Sequence, residues 1–72
     1  MTSILQKVAD ITGMLDSELA VIIGKSRATA QAYRTGVLPE YLDGRQSVAL
    51  RNAVRLHRDR IIQAVDELEV LL

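Results

Sequence analysis

The segment that decides the fold is GKSRATAQAYRTG, residues 24–36, in which small side chains and three cations stand between two glycines. A buried helix would carry leucine or isoleucine in place of so many alanines. Lys25, Arg27 and Arg34 are the only charged residues of the segment. Low bulk combined with positive charge predicts a helix whose exposed face comes close to another surface.

A short helix precedes this segment and ends at Gly24. Its apolar side consists of Leu19, Ala20, Ile22 and Ile23. We expect Asp16 or Ser17 to cap this helix, because a side-chain oxygen can accept from its free N–H groups. Gly24 permits the positive φ of a sharp turn, and Ser26 then caps the next helix, which ends at Gly36. These signals predict two helices joined by a tight turn.

The helix after the turn is expected to have two different faces. Ala30 and Tyr33, three residues apart, should face inward against Leu19 and Ile23. The opposite face presents Ser26, Arg27, Ala28, Gln31, Ala32 and Thr35. Small residues let a helix enter the major groove of DNA, and Arg and Gln side chains can pair bidentately with guanine and adenine. This face is therefore suited to reading bases.

Residues 16–39 resemble the helix-turn-helix of phage repressor and Cro-type DNA-binding proteins. The resemblance is carried by Glu18-Leu19-Ala20, Gly24, Ser26-Arg27 and Tyr33-x-x-Gly36 followed by Pro39. It implies a small transcriptional regulator, of the kind that phages and prophages encode, which binds operator half-sites in double-stranded DNA as a homodimer. It implies base-facing positions for Arg27, Ala28, Gln31 and Ala32, to which we add Ser26. The expected phosphate contacts are Ser17, Lys25, Thr29, Arg34 and Arg45.

The stretch after this motif has two interpretations. Gly36-x-Leu38-Pro39-x-Tyr41-x-x-Gly44-Arg45 is similar to the wing of excisionase and MerR-type winged helices, which implies a hairpin with Arg45 in a minor groove. Alternatively, Pro39 suits the first turn of a brief fourth helix over residues 39–43, before Gly44. We favour the helix, because no strand pattern of useful length is present.

Residues 2–12 predict a first helix, with a capping box of Ser3 and Gln6 at its start and Gly13 at its end. The helical spacing of apolar residues predicts its inward face, which is formed by Ile4, Val8, Ile11 and Leu15. The chain is therefore expected to be all-α. About four short helices make a DNA-binding bundle in residues 1–45, and one long helix follows.

Residues 47–72 contain no helix-breaking residue and predict that long helix. Its apolar stripe is Leu50, Val54, His57, Ile61, Val65, Leu68 and Leu72. An eleven-residue repeat of this kind predicts a nearly straight helix. The short helices can cover only part of it, so we expect the stripe to form a homodimer or a tetramer. Residues 46–72 are thus the predicted dimerisation element.

Arginines are concentrated on one flank of this helix, at Arg51, Arg55 and Arg58. They can contact DNA phosphates, which adds affinity without specificity. They can also pair with Asp66 and Glu69 of a second chain in an antiparallel helix pair. The two interpretations stay open, and we favour the second.

Composition narrows the classes of function. The chain of 72 residues has no cysteine and one histidine, which excludes disulfides and argues against a zinc cluster. It contains no candidate catalytic triad or phosphate-binding loop, so we expect neither an enzyme nor a cofactor. We also expect a location in the bacterial cytoplasm, because no membrane-length apolar run or signal peptide is found.

A formal net charge of zero keeps one alternative function open. This is a protein-interaction module, an inhibitor or adaptor, that uses the long helix on a retained helix-turn-helix scaffold.

Overall fold

The computed structural model describes residues 3–72 as four helices joined by loops. The helices are α1 (Ile4–Thr12), α2 (Asp16–Ile23), α3 (Arg27–Thr35) and α4 (Gly44–Leu71). No strand occurs within residues 3–72. The expected all-α fold with a long C-terminal helix is confirmed, while the predicted helix start at Thr2 lies outside the described residues.

The turn between α2 and α3 is closed at both ends by hydrogen bonds. Gly24 adopts a φ of 68°, and the N–H of Lys25 donates to the carbonyl of Ala20 at 3.0 Å. This bond satisfies a carbonyl at the end of α2 that has no partner within the helix. Ser26 then caps α3, since its Oγ accepts from the N–H of Thr29 at 3.1 Å. The tight turn predicted from the sequence is confirmed.

The core is small and is shared by all four helices. Its buried residues are Leu5, Leu19, Ala20, Ile23, Ala30 and Leu50. Tyr33 packs against this cluster, so Ala30 and Tyr33 face inward as predicted. The expected face of α1 is wrong, because Leu5 is buried whereas Ile4 and Ile11 are mostly exposed. The packing of α3 and α4 against α1 selects the neighbouring side of that helix.

Residues 36–43 form an irregular loop, so neither the fourth short helix over residues 39–43 nor the wing is present. Glu40 explains why. Its carboxylate accepts hydrogen bonds from the N–H groups of Ile4 at 2.8 Å and Leu5 at 3.0 Å, and from the hydroxyl of Ser3. An anionic oxygen at a helix N-terminus accepts hydrogen bonds from free N–H groups and interacts favourably with the positive end of the helix dipole. A contact across the chain therefore organises the loop.

The last helix begins three residues earlier than the sequence predicted, at Gly44 instead of residue 47. Asp43 and Gln46 form a reciprocal capping box, with N–H to side-chain oxygen distances of 2.8 and 3.0 Å. Gln46 also donates from Nε2 to the carbonyl of Ile23 at 2.9 Å. The start of α4 is thereby joined to the end of α2.

Only the first half of α4 packs on the bundle. Leu50 is buried, Val54 and His57 are half-buried, and every residue from 58 to 72 is exposed. The radius of gyration is 14.0 Å, whereas about 11 Å is typical of a compact domain of this length. Leu50 belongs to the core of its own chain, and its expected part in a dimer interface stays a prediction.

Replacing Glu40 with glutamine is expected to lower the free energy of unfolding by about 1–2 kcal/mol, because the N–H groups of α1 lose a charged acceptor. Urea denaturation followed by circular dichroism measures the change. The matched control is Asp66→Asn on the exposed half of α4, for which a change within about 0.5 kcal/mol is expected. Equal denaturation midpoints for the two variants would show that Glu40 does not cap α1.

Candidate nucleic-acid interface

Helix α3 turns one face to solvent while the other enters the core. At about 100° per residue, the side opposite Ala30 and Tyr33 is centred on Ala28 and Thr35. We call this surface the α3 face; it comprises Arg27, Ala28, Gln31 and Thr35, which are exposed, and Ala32, which is half-buried. The predicted separation of inward and outward residues on this helix is therefore present.

Two long side chains extend from the α3 face, and they lie one helical turn apart. Neither Arg27 nor Gln31 donates a side-chain hydrogen bond to another residue within the described range 3–72. The remaining side chains of the face are those of alanine and threonine. Arg27 and Gln31 are thus presented to solvent by a surface of low bulk.

Ser26 and Thr29 bond to each other at the start of α3. The Ser26 hydroxyl donates to Thr29 Oγ1 at 2.9 Å and accepts from the Thr29 N–H at 3.1 Å. Both hydroxyls therefore contribute to capping the helix. The expected contacts of Ser26 with a base and of Thr29 with a phosphate stay predictions.

Arg34 is engaged inside the molecule, and its expected contact with a phosphate stays a prediction. Its Nε and Nη2 donate to the two carboxylate oxygens of Asp16 at 2.6 and 3.1 Å, and its Nη1 donates to Gln6 Oε1 at 3.0 Å. A fork of parallel N–H···O bonds is among the stronger ionic arrangements. The side chains of Arg34 and Asp16 are only 25% and 16% exposed. The cation therefore links α1, α2 and α3.

The same pair accounts for Asp16, which was expected as a possible cap of α2. Leu15 occupies the capping position, and Asp16 is the first helical residue. Hydrogen bonding from Arg34 holds the pKa of Asp16 below its ordinary value, and the charge of Arg27 adds a smaller effect in the same direction. The negative charge at the start of α2 is thus neutralised within the bundle.

Exposed cations gather near the N-terminus of α3. The bond from Gln46 to the last carbonyl of α2 brings the start of α4 to the turn. Lys25 in the turn and Arg45 at the start of α4 therefore lie at one junction, and Arg27 follows in the first turn of α3. The nearby Asp43 uses its carboxylate to cap α4. Sequence reasoning did not foresee that the segments of Lys25 and Arg45 lie at one junction, because a long-range bond from Gln46 to Ile23 brings these segments together.

Ser17 occupies a different side of α2. It is exposed and lines an open groove between α2 and α4, together with Val21, Ile22 and Leu56. The structure therefore places this residue beside α4, and its expected phosphate contact stays a prediction.

Asp16→Asn is expected to lower the melting temperature at about pH 7, and the difference in melting temperature from wild type should shrink in acid. A carboxyl group whose pKa is depressed by folding stabilises the fold above its unfolded pKa of about 4, and this stabilisation is lost as pH falls through the lower folded value. Thermal unfolding at a series of pH values measures the difference. Asp59→Asn is the control. Asp59 bonds to Arg58, and the two side chains are 61% and 63% exposed; exposed ion pairs of this kind contribute little to stability. A deficit of Asp16→Asn that is constant with pH would contradict the ionic role.

Other kinds of site were sought in the part of the chain that the structure describes. No cluster of three histidine, aspartate or glutamate side chains there could hold a metal ion. None of the helices within residues 3–72 combines the length and the apolar character that crossing a membrane requires. Comparisons of the chain with protein-family models, curated proteins and solved structures gave no significant match.

Proposed function

We propose that this protein is a transcriptional regulator that binds double-stranded DNA sequence-specifically, with α3 in the major groove. The observation that carries the proposal is the α3 face, a low surface of alanine and threonine from which Arg27 and Gln31 extend. The resemblance of residues 16–39 to phage repressor and Cro-type proteins supports it. The confirmed turn at Gly24 supports it as well, since that motif depends on two helices held close together.

The dimensions of α3 explain why its exposed side chains are small. A helix with side chains is about 10–12 Å wide, and the major groove of B-DNA is about 12 Å wide. Ala28 and Ala32 allow the helix axis to lie deep in such a groove. Arg27 then reaches a guanine edge, and Gln31 reaches an adenine edge, through bidentate hydrogen bonds.

The cations beside the α3 face supply the contacts to phosphate in this proposal. Lys25 and Arg45 flank the N-terminus of α3, where free N–H groups and the helix dipole also favour an anion. These phosphate contacts orient the protein on the duplex without reading its sequence. Because they are few and the formal net charge is zero, we expect weak binding to unrelated DNA and a shallow dependence on salt.

The proposed regulator acts as a homodimer in the bacterial cytoplasm. Ile61, Val65 and Leu68 are each about half exposed on the part of α4 that leaves the bundle. Contiguous apolar surface of this kind is rare on soluble monomers and marks an interaction site. Pairing of two chains through α4 presents two α3 helices to two half-sites.

Selection of binding sites from a random pool of duplex DNA is the first test of this function. An enriched sequence is expected, and Arg27→Ala and Gln31→Ala should each weaken binding to it by about 1–3 kcal/mol, as the loss of one bidentate base contact does. Each variant should lose discrimination mainly at one base position. Fluorescence anisotropy with the selected duplex and with single-base changes measures both effects.

Lys25→Ala and Arg45→Ala provide the comparison for phosphate contacts. Both variants should weaken binding to the selected duplex and to unrelated duplexes alike. Each should also reduce the slope of log K against log salt by about one. Lys7→Ala, which removes an exposed cation from α1, is the matched control and should bind as wild type does. A protein that enriches no sequence and is not retained on DNA at low salt would refute the DNA-binding function.

A protein-interaction module remains the second candidate. The exposed apolar residues of α4 and the zero net charge favour it. In this role α4 binds and inhibits another protein, and the helix-turn-helix serves only as a scaffold. Enrichment of one sequence in the selection experiment, with binding that Arg27→Ala weakens, would distinguish the regulator from such a module.

A further inference from the structure

The distal half of α4 carries an apolar stripe that nothing covers within the described residues. Ile61, Val65 and Leu68 lie on it, and 46–53% of each side chain is exposed. The helical repeat places these residues on the side of α4 where Val54 and His57 approach the bundle. The stripe is thus a continuation of the surface that packs on the bundle, extended into solvent by about seven residues.

This stripe is complementary to a reversed copy of itself. In an antiparallel pair with its two-fold axis near residue 63, apolar residues face one another along the whole overlap. The facing pairs are Ile61 with the partner's Val65, His57 with the partner's Leu68, and Val54 with the partner's Leu72. In every pair the two residue numbers add to 125 or 126, so one register satisfies all of them.

The charged flanks of α4 lead independently to the same register. Arg58 and Glu69 lie on one flank of the stripe, and Arg60 and Glu67 lie on the other. In the antiparallel arrangement each arginine meets the glutamate of its own flank on the other chain, and both pairs of numbers add to 127. The registers set by apolar and charged residues therefore agree within about 3 Å. A parallel pair would instead bring Arg58 of one flank beside the partner's Arg60 of the other flank, where the like charges repel.

We propose that the occupant of the stripe is α4 of a second copy of this chain, packed antiparallel about a two-fold axis near residue 63. The proposal specifies the homodimer of the proposed function, and its geometry does not depend on DNA. Arg58 is free to take part, because its bond to Asp59 at 3.1 Å is exposed on both sides. Exposed ion pairs of this kind exchange partners at little cost.

In this register the end of the partner helix also reaches the bundle. Val54 lines a groove between α1 and α4, and His57 lines the groove between α2 and α4. The second groove includes Val21, whose side chain is 83% exposed. Because the partner's Leu68 lies opposite His57, pairing shields this groove as well. The dimer is then held by contacts between bundle and helix in addition to those between the two helices.

The register also sets the spacing of the two bundles along the helix pair. Leu50, around which the bundle packs, lies about 13 residues from the two-fold axis, or about 20 Å along the helix. The two bundles are therefore about 39 Å apart along the pair, close to the 34–36 Å of one turn of DNA. This last step rests on the proposed function, whereas the helix pair does not.

Disulfide formation between introduced cysteines tests the register, because the natural chain has none. Two variants are made separately, His57→Cys and Leu68→Cys. In the proposed dimer equivalent cysteines lie about 15–18 Å apart, beyond the reach of a disulfide, whereas Cys at 57 and Cys at 68 of different chains are adjacent. An equal mixture should therefore form a covalent heterodimer under mild oxidation, and neither variant alone should form a dimer.

A mixture of Leu68→Cys with Val37→Cys, an exposed loop position, controls for random collision and should stay uncoupled. Circular dichroism confirms that each variant is folded. Coupling of either single variant with itself would indicate a parallel pair and overturn the proposal. A lack of coupling in the 57–68 mixture would overturn it as well. Since no DNA is present, either failure leaves the role of the α3 face to be judged by its own experiment.

Charge reversal gives a second measurement on the same register. Arg58→Glu should raise the dimer dissociation constant about tenfold, because each dimer contains the pair twice. Adding Glu69→Arg to that chain should restore the wild-type value, as measured by sedimentation. Lys7→Glu, on α1, is the control of equal charge change and should have no effect. A double variant with a dimer dissociation constant as high as that of Arg58→Glu would disprove the pairing of Arg58 with the partner's Glu69.

Discussion

The orientation of α3 depends on the bidentate bond between Arg34 and Asp16. Within residues 3–72 only six residues are buried, so polar contacts add to packing in fixing the three short helices. The turn at Gly24 holds the N-terminal end of α3 against α2, and Arg34 holds its last turn against the start of α2 and against Gln6 of α1. With both ends fixed, α3 presents one defined face. Tyr33, next to Arg34, packs against the core, so apolar contact and the ion pair together fix the last turn of α3.

Two further long-range bonds arrange the parts of the chain around this unit. Glu40 draws the loop onto the N-terminus of α1, and Gln46 attaches the start of α4 to the end of α2. Each bond uses a polar side chain to satisfy a backbone group that a short helix leaves unpaired at its terminus. In a bundle of short helices such termini are numerous relative to buried apolar area. Polar contacts at helix ends therefore contribute much of the specificity of this fold.

The difference between local and long-range contacts explains what the sequence could predict. Gly24, Ser26 and Ala30 were assigned correctly, because turn geometry, capping and helical spacing act within a few residues. The bond from Arg34 to Asp16, 18 positions earlier, was not predicted, because nothing near Arg34 in the sequence indicates it. The loop over residues 36–43 was misassigned for the same reason, since its organising partner is the start of α1. The α3 face followed from the sequence, whereas the position of the start of α4 beside the end of α2 required the fold.

The chain has a formal net charge of zero, but its positive and negative side chains are distributed unevenly over the fold. Asp16 is paired with the cation of Arg34, whereas Glu40 and Asp43 accept hydrogen bonds from neutral groups and keep their negative charge. The cations beside the α3 face make no such bonds within the described residues, and they give this end of the molecule positive character. The unengaged acids are concentrated at the far end of α4, beyond its arginines. A chain of zero net charge thus carries a group of cations beside the α3 face and a last helix whose arginines precede its acids, and in the antiparallel pair that we propose the arginines of each chain meet the acids of the other.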